Sequence, residues 1–403
     1  MTALPAEAVV ADKKPETQRI RLDFLDGLRG LAALYVVFSH TAHEMRWQGN
    51  QRFLSAPLQA VFHLFSYGRF AVAIFIVLSG YCLMLPVARS EDGRLRGGVW
   101  DYLKRRARRI LPPYYAALVF ALLLIALVPG MQQKTTMYTQ DALPAFQPDV
   151  LLSHLFLVHN LRWDWIYRID SPMWSVATEW QIYFVFPALL LPAWRRLGVA
   201  SALVMGAILG FAPHFLLHAR LDLAVPYYIT LFALGMAGAS LGFSRKPADV
   251  AWRERVPWGA LAVVCSLLVL AYVFHLRREE DIKYGIVEPF VGLAAVSLII
   301  YCARYLTQGR PGRYPLLLRL LESRGAVALG AFSYSLYLVH YPVLACLHTM
   351  LNAHNVAQNA EFLTLILVGV PLALLVAYLF HLAFERRFMS APARTKQPIT
   401  QSA

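Results

Sequence analysis

Ten stretches of this chain are each about as long and as apolar as a membrane-crossing helix, which restricts the fold more than any other feature. A helix needs about 20 mostly apolar residues to cross a bilayer. The stretches fill most of the 403 residues, so they predict one membrane domain. They lie at 28–46, 63–85, 110–130, 172–192, 199–217, 226–243, 257–275, 285–304, 326–350 and 362–384. The apolar segment 150–160 is too short to span and is predicted to be interfacial or re-entrant.

The overall composition supports a membrane protein. The chain is 58% hydrophobic and 15% charged, whereas a soluble domain is about 45–50% apolar and about 25% charged. Disorder is excluded because it requires low hydrophobicity and high charge. The net charge of +14 leaves two interpretations, a nucleic-acid binder or a membrane protein with basic loops on one side.

The distribution of lysine and arginine decides between these two interpretations. With the N-terminus inside and ten alternating spans, the inner segments hold 28 of these residues and the outer loops hold 9. This is the positive-inside pattern. We therefore predict an all-α, multi-pass protein of the cell (inner) membrane with both termini cytoplasmic and no nucleic-acid partner. The membrane domain is predicted at 21–389, between flexible cytoplasmic tails at 1–20 and 390–403.

Several common kinds of site are not indicated. The four cysteines, Cys82, Cys265, Cys302 and Cys346, lie in apolar stretches without a CxxC pair, which is typical of buried thiols rather than of disulfides or zinc sites. The chain has neither GxxxxGK[ST] nor GxGxxG, the fingerprints of nucleotide and dinucleotide sites. No metal is predicted, and no cleaved signal peptide is expected at the start.

Four ionisable residues are predicted at similar depth in the outer half of the membrane: His40, Arg69, Glu179 and His340. Charge at bilayer depth costs about 2.5–3.5 kcal/mol per residue, so these groups need partners. Arg29 precedes His40 by eleven residues, so the two share one helix face about 16 Å apart. A histidine–carboxylate pair with a nearby arginine is typical of a general base and an oxyanion stabiliser.

Structural interpretations remain open for the same residues. Histidines within spans often make helix–helix hydrogen bonds, and Arg69 could snorkel outward or neutralise Glu179. Trp174 is at the predicted outer interface, where tryptophans form a belt. Ser79 and Gly80 could serve only to let helices pack closely.

A dense basic cluster lies on the predicted inner side, at 104–109, and leads directly into a span. An ordinary positive-inside anchor would explain some of this charge. The density favours an anionic ligand with several phosphates, because the arginine fork matches phosphate geometry. The arginines concerned are Arg105, Arg106, Arg108 and Arg109.

Five motifs together resemble the acyltransferase-3 family of integral-membrane acyltransferases, which modify bacterial surface glycans and some secondary metabolites. In chain order they are LDGLRGLAALYVVFSH with its Arg-x10-His, GRFAVAIFIVLSGY, RRARRILPPY, PMWSVATEWQIYFVFP and FSYSLYLVHYPV. They fall in the family's order over about residues 22–345. The Arg-x-x-Arg pair of the third motif is either Arg105/Arg108 or Arg106/Arg109. Many members have two adjacent acids where this chain has Glu179-Trp180, so a role needing both carboxylates is in doubt.

The resemblance implies transfer of an acyl group, usually acetyl from acetyl-CoA, to a sugar hydroxyl. It implies that His40 is essential, with Arg29 beside it, and that the inner arginines hold the CoA phosphates. The acceptor would be a lipopolysaccharide, an exopolysaccharide or a lipid-linked sugar. The extra esterase-like domain of some members is expected to be absent, because the chain ends soon after the tenth span.

The combined hypothesis gives each residue a role. The pantetheine arm passes Arg29 and Ser79 toward His40, which is oriented by Glu179 and deprotonates the acceptor hydroxyl while Arg69 stabilises the oxyanion. An acyl-imidazole on His40 is an open variant. Residues expected near the acceptor are Trp174, Ser175, Tyr183 and His340. The alternatives are a proton-coupled secondary transporter and an acyltransferase for a small secondary metabolite such as a macrolide.

Overall fold

The computed structural model describes residues 22–47, 54–132, 146–244, 247–276, 282–308 and 314–389. Within these ranges the chain is helical and forms no strand, which confirms the predicted all-α class. The predicted tails at 1–20 and 390–403 lie outside the described residues.

Eighteen α-helices make up the described part of the chain. They are α1 (Asp23–Trp47), α2 (Ala56–Leu64), α3 (Gly68–Ala88), α4 (Gly98–Leu127), α5 (Pro148–Leu155), α6 (Trp163–Ile166), α7 (Met173–Val185), α8 (Leu191–Leu197), α9 (Val199–Leu216), α10 (Tyr228–Phe243), α11 (Pro247–Arg255), α12 (Trp258–Leu276), α13 (Tyr284–Gln308), α14 (Leu316–Leu321), α15 (Arg324–Ala331), α16 (Ser333–Ala353), α17 (Gln358–Thr364) and α18 (Val370–Phe380). Short π-helical segments join α7 to α8 and α17 to α18.

Eight helical stretches in the described ranges are long and apolar enough to cross a membrane, and a ninth is obtained if α15 and α16 count as one span. Those two helices meet at an angle of 75°. By the criteria of length and composition, the described residues therefore give at most nine spans, one fewer than the ten predicted. The difference arises at α1, which has 25 residues but loses hydropathy through the polar run SHTAHE. The apolar segment near 150–160 forms the eight-residue helix α5 and a 3-10 turn at His159–Leu161, neither long enough to span a membrane, and its interfacial or re-entrant position stays a prediction.

Helices α3 and α10 pack at the centre of the bundle through glycines. A Cβ atom on Gly80 would lie 2.1 Å from the Phe232 carbonyl oxygen, and one on Gly235 would lie 2.0 Å from the Val77 carbonyl oxygen. Both distances are far inside van der Waals contact, so neither backbone tolerates a side chain at this crossing. Gly80 of the LSGY motif therefore has the close-packing role that the sequence left open.

The bundle has two chemically different ends. Arg29 near the start of α1, Leu83 near the end of α3 and Arg109 in α4 border one cavity, and this end is called the basic end. Arg69, at the start of α3, lies fourteen residues before Leu83, or about 21 Å away along the helix. It borders a second cavity at the opposite end together with Trp174.

Candidate functional site

A cleft of about 840 Å³ opens at the basic end and is called the basic cleft. Three arginines border it: Arg29, Arg106 and Arg109. Its other polar walls carry hydroxyl groups and one carboxylate, and its apolar wall comes mainly from α3. These polar residues are Ser79, Ser175, Glu179, Tyr183, Ser333, Tyr334 and Tyr337.

The structure distinguishes between the two possible Arg-x-x-Arg pairs. Arg106 and Arg109 are one helical turn apart on the face of α4 that lines the basic cleft, whereas Arg105 and Arg108 are exposed on the other face. Arg105 donates a hydrogen bond to the carbonyl oxygen of Arg96. The Nε atom of Arg106 is buried without a hydrogen-bond partner in the described part of the chain. A buried donor without a partner is costly, so this atom fits an anionic ligand.

Glu179 belongs to the wall of the basic cleft. It accepts a hydrogen bond of 2.5 Å from the Tyr183 hydroxyl, which also lies 3.2 Å from the Ser79 Oγ. Arg29 nearby donates to Asp26 at 2.7 Å and to the Cys82 sulfur at 3.5 Å. Ser79, Glu179 and Tyr183 thus form one hydrogen-bonded wall facing the arginines.

His40 is joined to His340, the other histidine singled out from the sequence. The Nδ1 atom of His40 lies 3.1 Å from Nε2 of His340, and the ring centres are 4.9 Å apart. His340 is fully buried, whereas His40 is only partly buried. The two residues come from α1 and α16 and are 300 positions apart. The two histidines therefore lie side by side in the bundle, and their depth in the membrane stays a prediction.

The hydrogen bonds of the pair define where each proton resides. The carbonyl oxygens of Val36 and Leu336 can only accept, and they lie 3.0 Å from Nδ1 of His40 and 2.9 Å from Nδ1 of His340. We therefore assign the hydrogen of each ring to Nδ1, and the Nδ1 hydrogen of His40 is shared between the Val36 carbonyl oxygen and Nε2 of His340. With this assignment Nε2 of His40 carries a lone pair, and it makes no hydrogen bond to another residue in the described part of the chain, so it can act as a base.

A short series of contacts connects the pair to the basic cleft. The Tyr337 ring lies 5.9 Å from the His340 ring and 5.9 Å from the Phe75 ring. Its hydroxyl is 2.6 Å from the Ser175 Oγ and donates to the Pro172 carbonyl oxygen. Phe75, Ser175 and Tyr337 all line the basic cleft. His40 itself does not border the cleft but lies behind its inner end.

The expectation that Glu179 orients His40 does not match the geometry. Among the described residues, the hydrogen bonds of His40 go to Val36 and His340, and Glu179 pairs with Tyr183. Glu179 and Tyr183 are four positions apart on α7 and therefore share one helix face. The carboxylate lies within electrostatic range of Arg29, toward the basic end rather than level with His40.

Arg69 forms an ion pair with Glu288, a residue that was not predicted from the sequence. Its Nε atom is 3.4 Å from Glu288, and it donates a hydrogen bond of 2.8 Å to the Tyr227 hydroxyl. Its guanidinium also lies over the rings of Tyr284, at 4.3 Å, and Trp174, at 5.4 Å. Because Glu288 balances this charge, Arg69 is a poor oxyanion stabiliser, and its partner is not Glu179. The sequence signal that could have identified Glu288 is its position as the single acidic residue in the apolar run IVEPFVGLAAV.

Removing the charge of Glu288 is expected to destabilise the protein. The Glu288→Gln substitution leaves the Arg69 guanidinium without its carboxylate, and breaking a buried pair in this way costs about 3 kcal/mol when one partner is partly exposed. We expect a lower unfolding temperature in detergent micelles, with the exposed Glu91→Gln substitution as the unaffected control. Equal stability of the Glu288→Gln and wild-type proteins would contradict this role.

Asp170 is a further buried carboxylate that sequence reasoning missed. It is fully buried just before α7, and both of its carboxylate oxygens lack a hydrogen-bond partner among the described residues. Burial raises the pKa of this carboxyl well above its usual value.

The comparisons with known proteins agree with the motifs. A family model described as an acyltransferase domain matches residues 22–382. The chain is 25% identical to acyltransferase MdmB of Streptomyces mycarofaciens, over 94% of this chain and 95% of that protein. It is 23% identical to peptidoglycan O-acetyltransferase OatA of Listeria monocytogenes, over 79% of this chain and 49% of that protein. It is 24% identical to putative peptidoglycan O-acetyltransferase YrhL of Bacillus subtilis, over 92% of this chain and 55% of that protein.

The share of each relative that this chain covers differs between MdmB and the two peptidoglycan enzymes. The chain spans almost all of MdmB but only about half the length of OatA and YrhL. No solved structure matches this chain. The match over 22–382 confirms the resemblance carried by the five motifs.

Proposed function

Since this chain belongs to the acyltransferase-3 family and is therefore an acyltransferase, we propose that it transfers an acyl group from acyl-CoA to a hydroxyl group of a surface or exported glycan. The acyl group proposed is acetyl. The word acetyltransferase in the names of OatA and YrhL supports this choice, and their peptidoglycan acceptors support a glycan. A small secondary metabolite remains the second acceptor class, and the full-length match to MdmB is the observation that keeps it open.

The proposed topology is that of an inner-membrane protein with ten spans and both termini in the cytoplasm. The tenth span is α1, which packs against α3, α15 and α16 and carries His40 in its more polar second half. The uneven division of lysine and arginine supports this orientation. It places the basic end in the cytoplasm, where acyl-CoA is available, and the opposite end at the outer face.

The donor is proposed to bind in the basic cleft. Arg106 and Arg109 hold its phosphates as charge-assisted partners, with Arg29 beside them and Ser79 on the opposite wall. The thioester end lies at the inner end of the cleft, near Ser175 and Tyr337. The exposed pair Arg105 and Arg108 has no part in this binding, although the sequence included it as a candidate.

His40 is proposed to act as the general base. Its Nε2 atom takes the proton from the acceptor hydroxyl, the hydroxyl oxygen forms a bond to the thioester carbonyl carbon, and the carbon–sulfur bond breaks. The proton then passes from His40 to the departing CoA thiolate, so the products are the ester and free CoA. The same Nε2 lone pair also permits the acyl-imidazole variant. Arg69 has no oxyanion role in this scheme, because Glu288 occupies it.

The observation that carries this proposal is the series of contacts from the arginine-lined cleft to His40, whose Nε2 atom makes no hydrogen bond within the described ranges. Ser175 and Tyr337 lie at the inner end of the cleft, Tyr337 contacts His340, and His340 accepts from His40. A donor site and a base are thereby adjacent in one bundle.

The test uses the purified full-length protein in nanodiscs with acetyl-CoA and the glycan of the producing cells. We expect release of free CoA and acetylated glycan, both dependent on the acceptor. A proton-coupled transporter would instead move solute into liposomes without consuming acetyl-CoA. If the wild-type protein releases no CoA when the glycan is added, the proposal is contradicted.

His340 is expected to act as a positioning residue for His40. The His340→Leu substitution removes one of the two acceptors of the His40 Nδ1 hydrogen, the one on α16, and leaves the Val36 carbonyl oxygen. Loss of such a supporting partner lowers activity about 10- to 100-fold. The effect should fall on kcat and leave the KM for acetyl-CoA unchanged. His340→Gln offers a side-chain oxygen in the place of Nε2 and should restore part of kcat. If the His340→Leu and His340→Gln variants have the same kcat, the positioning role is wrong.

A further inference from the structure

We propose that the second cavity, at the end of the bundle opposite the basic cleft, binds a sugar ring of the acceptor. This inference rests on the proposed function and specifies where its second substrate binds. The cavity, called the distal cleft, has about 1310 Å³ of free space that is continuous with the solvent, and it is bordered by Arg69, Trp163, Asp164, Tyr167, Trp174 and Asp222. It opens broadly to the surface, as an extended glycan requires, rather than enclosing a small molecule.

The two clefts approach each other at the first turns of two helices. Trp174 borders the distal cleft, while the next residue of α7, Ser175, borders the basic cleft. On α3, Arg69 borders the distal cleft and Val72, one turn later, borders the basic cleft. A donor in one cleft and an acceptor in the other therefore reach toward the same layer of the bundle from opposite ends.

His40 lies at this layer. Gly68, the first residue of α3, donates a backbone hydrogen bond of 3.0 Å to the Ser39 side chain. Ser39 precedes His40 on α1, and Arg69 follows Gly68 on α3, so α1 and α3 cross at the level of His40 and of Arg69, which borders the distal cleft.

Aromatic rings give the distal cleft the apolar surfaces on which a pyranose ring stacks. Trp163 and Tyr167 have ring centres 6.1 Å apart, and Trp163 is 63% exposed. Trp174 is held at the floor under the Arg69 guanidinium. A binding site that combines aromatic faces with a few convergent polar groups is a common arrangement for small-molecule ligands.

Charged groups of both signs surround these rings. Arg162 pairs with Asp164 at 3.3 Å, and Asp222 pairs with His214 at 2.8 Å. These pairs are exposed, so their internal attraction is weak and their oxygen and nitrogen atoms are available to sugar hydroxyls. The mixture of donors and acceptors fits a polyhydroxylated ligand better than a lipid tail.

The test compares two equally exposed tryptophans. Trp163→Ala removes a stacking face of the distal cleft, whereas Trp252→Ala removes a ring that is also 63% exposed but lies on α11, away from both clefts. With purified protein in nanodiscs, we expect Trp163→Ala to raise the KM for the glycan about tenfold and to leave the KM for acetyl-CoA unchanged. Trp252→Ala should change neither. An unchanged glycan KM in Trp163→Ala, as expected of an interfacial belt residue, would overturn the proposal.

A binding measurement separates this inference from the proposed function. Oligosaccharides released by mild acid from the glycan of the producing cells are titrated into the protein without any CoA, and tryptophan fluorescence is followed. Binding that is weakened by Trp163→Ala supports the distal cleft even if no acyl transfer is detected. Acyl transfer by a protein whose Trp163→Ala variant binds these oligosaccharides normally would overturn the distal cleft and leave the proposed function intact.

Discussion

Replacing His40 by alanine is expected to lower kcat for acyl transfer by about 10²- to 10⁴-fold, the usual contribution of a general base. The physical reason is the lone pair on Nε2, which can accept a proton because the ring hydrogen is on Nδ1 and is donated to Val36 and His340. Alanine removes the base without adding bulk or charge to the bundle. The measurement is the initial rate of acceptor-dependent CoA release by protein in nanodiscs.

The control for this substitution is another histidine of the same bundle. His354, near the end of α16, is exposed and away from both clefts, so His354→Ala should retain wild-type kcat. Because His40 donates to His340, the His40→Ala protein must also be shown to fold, by its unfolding temperature and by unchanged binding of CoA. A folded His40→Ala protein with wild-type kcat would rule out the base.

Replacing Arg106 and Arg109 together by alanine is expected to raise the KM for acetyl-CoA by about 10²- to 10⁴-fold. Each hydrogen bond to a charged group contributes about 1.5–3 kcal/mol, and both side chains line the cleft. The KM for the glycan should stay unchanged, because the distal cleft lies at the other end of the bundle. The measurement is a pair of saturation curves, one for each substrate.

The same helix supplies a matched control for the arginine pair. Arg105 and Arg108 are the neighbouring residues, have the same charge and are exposed. The Arg105→Ala/Arg108→Ala protein removes as much charge from the basic cluster, so it reports any loss of membrane orientation or of general electrostatic attraction. If both double variants raise the KM for acetyl-CoA equally, the cluster acts through its overall charge and the basic cleft is not the donor site.

Sequence patterns were sufficient for the fold class and for much of the membrane arrangement. Apolar runs of about 20 residues predict helices because backbone groups in a bilayer must be hydrogen-bonded within the segment. The same rule does not count spans reliably where function makes a helix polar, as at SHTAHE in α1, or where a helix breaks, as between α15 and α16.

The site was only partly predictable, because motifs name residues but not their partners. Helix periodicity placed Arg29 and His40 on one face, and no pattern in the sequence joined His40 to His340 across 300 positions. Counting residues into each span put Glu179 and Arg69 at similar depth, but pairing depends on helix rotation and neighbours. Those neighbours are Tyr183 for Glu179 and Glu288 for Arg69, and neither follows from spacing alone.

The central claim, that the donor binds at the basic end and the acceptor at the opposite end, is tested most directly by supplying the substrates from opposite sides. Proteoliposomes with the protein in one orientation receive acetyl-labelled acetyl-CoA on the side of the basic end and glycan on the other side. The account predicts labelled glycan in this arrangement, none when the substrates are exchanged between sides, and very little with the Arg106→Ala/Arg109→Ala protein. Equal labelling in both arrangements, or labelling only when both substrates share one side, would contradict it.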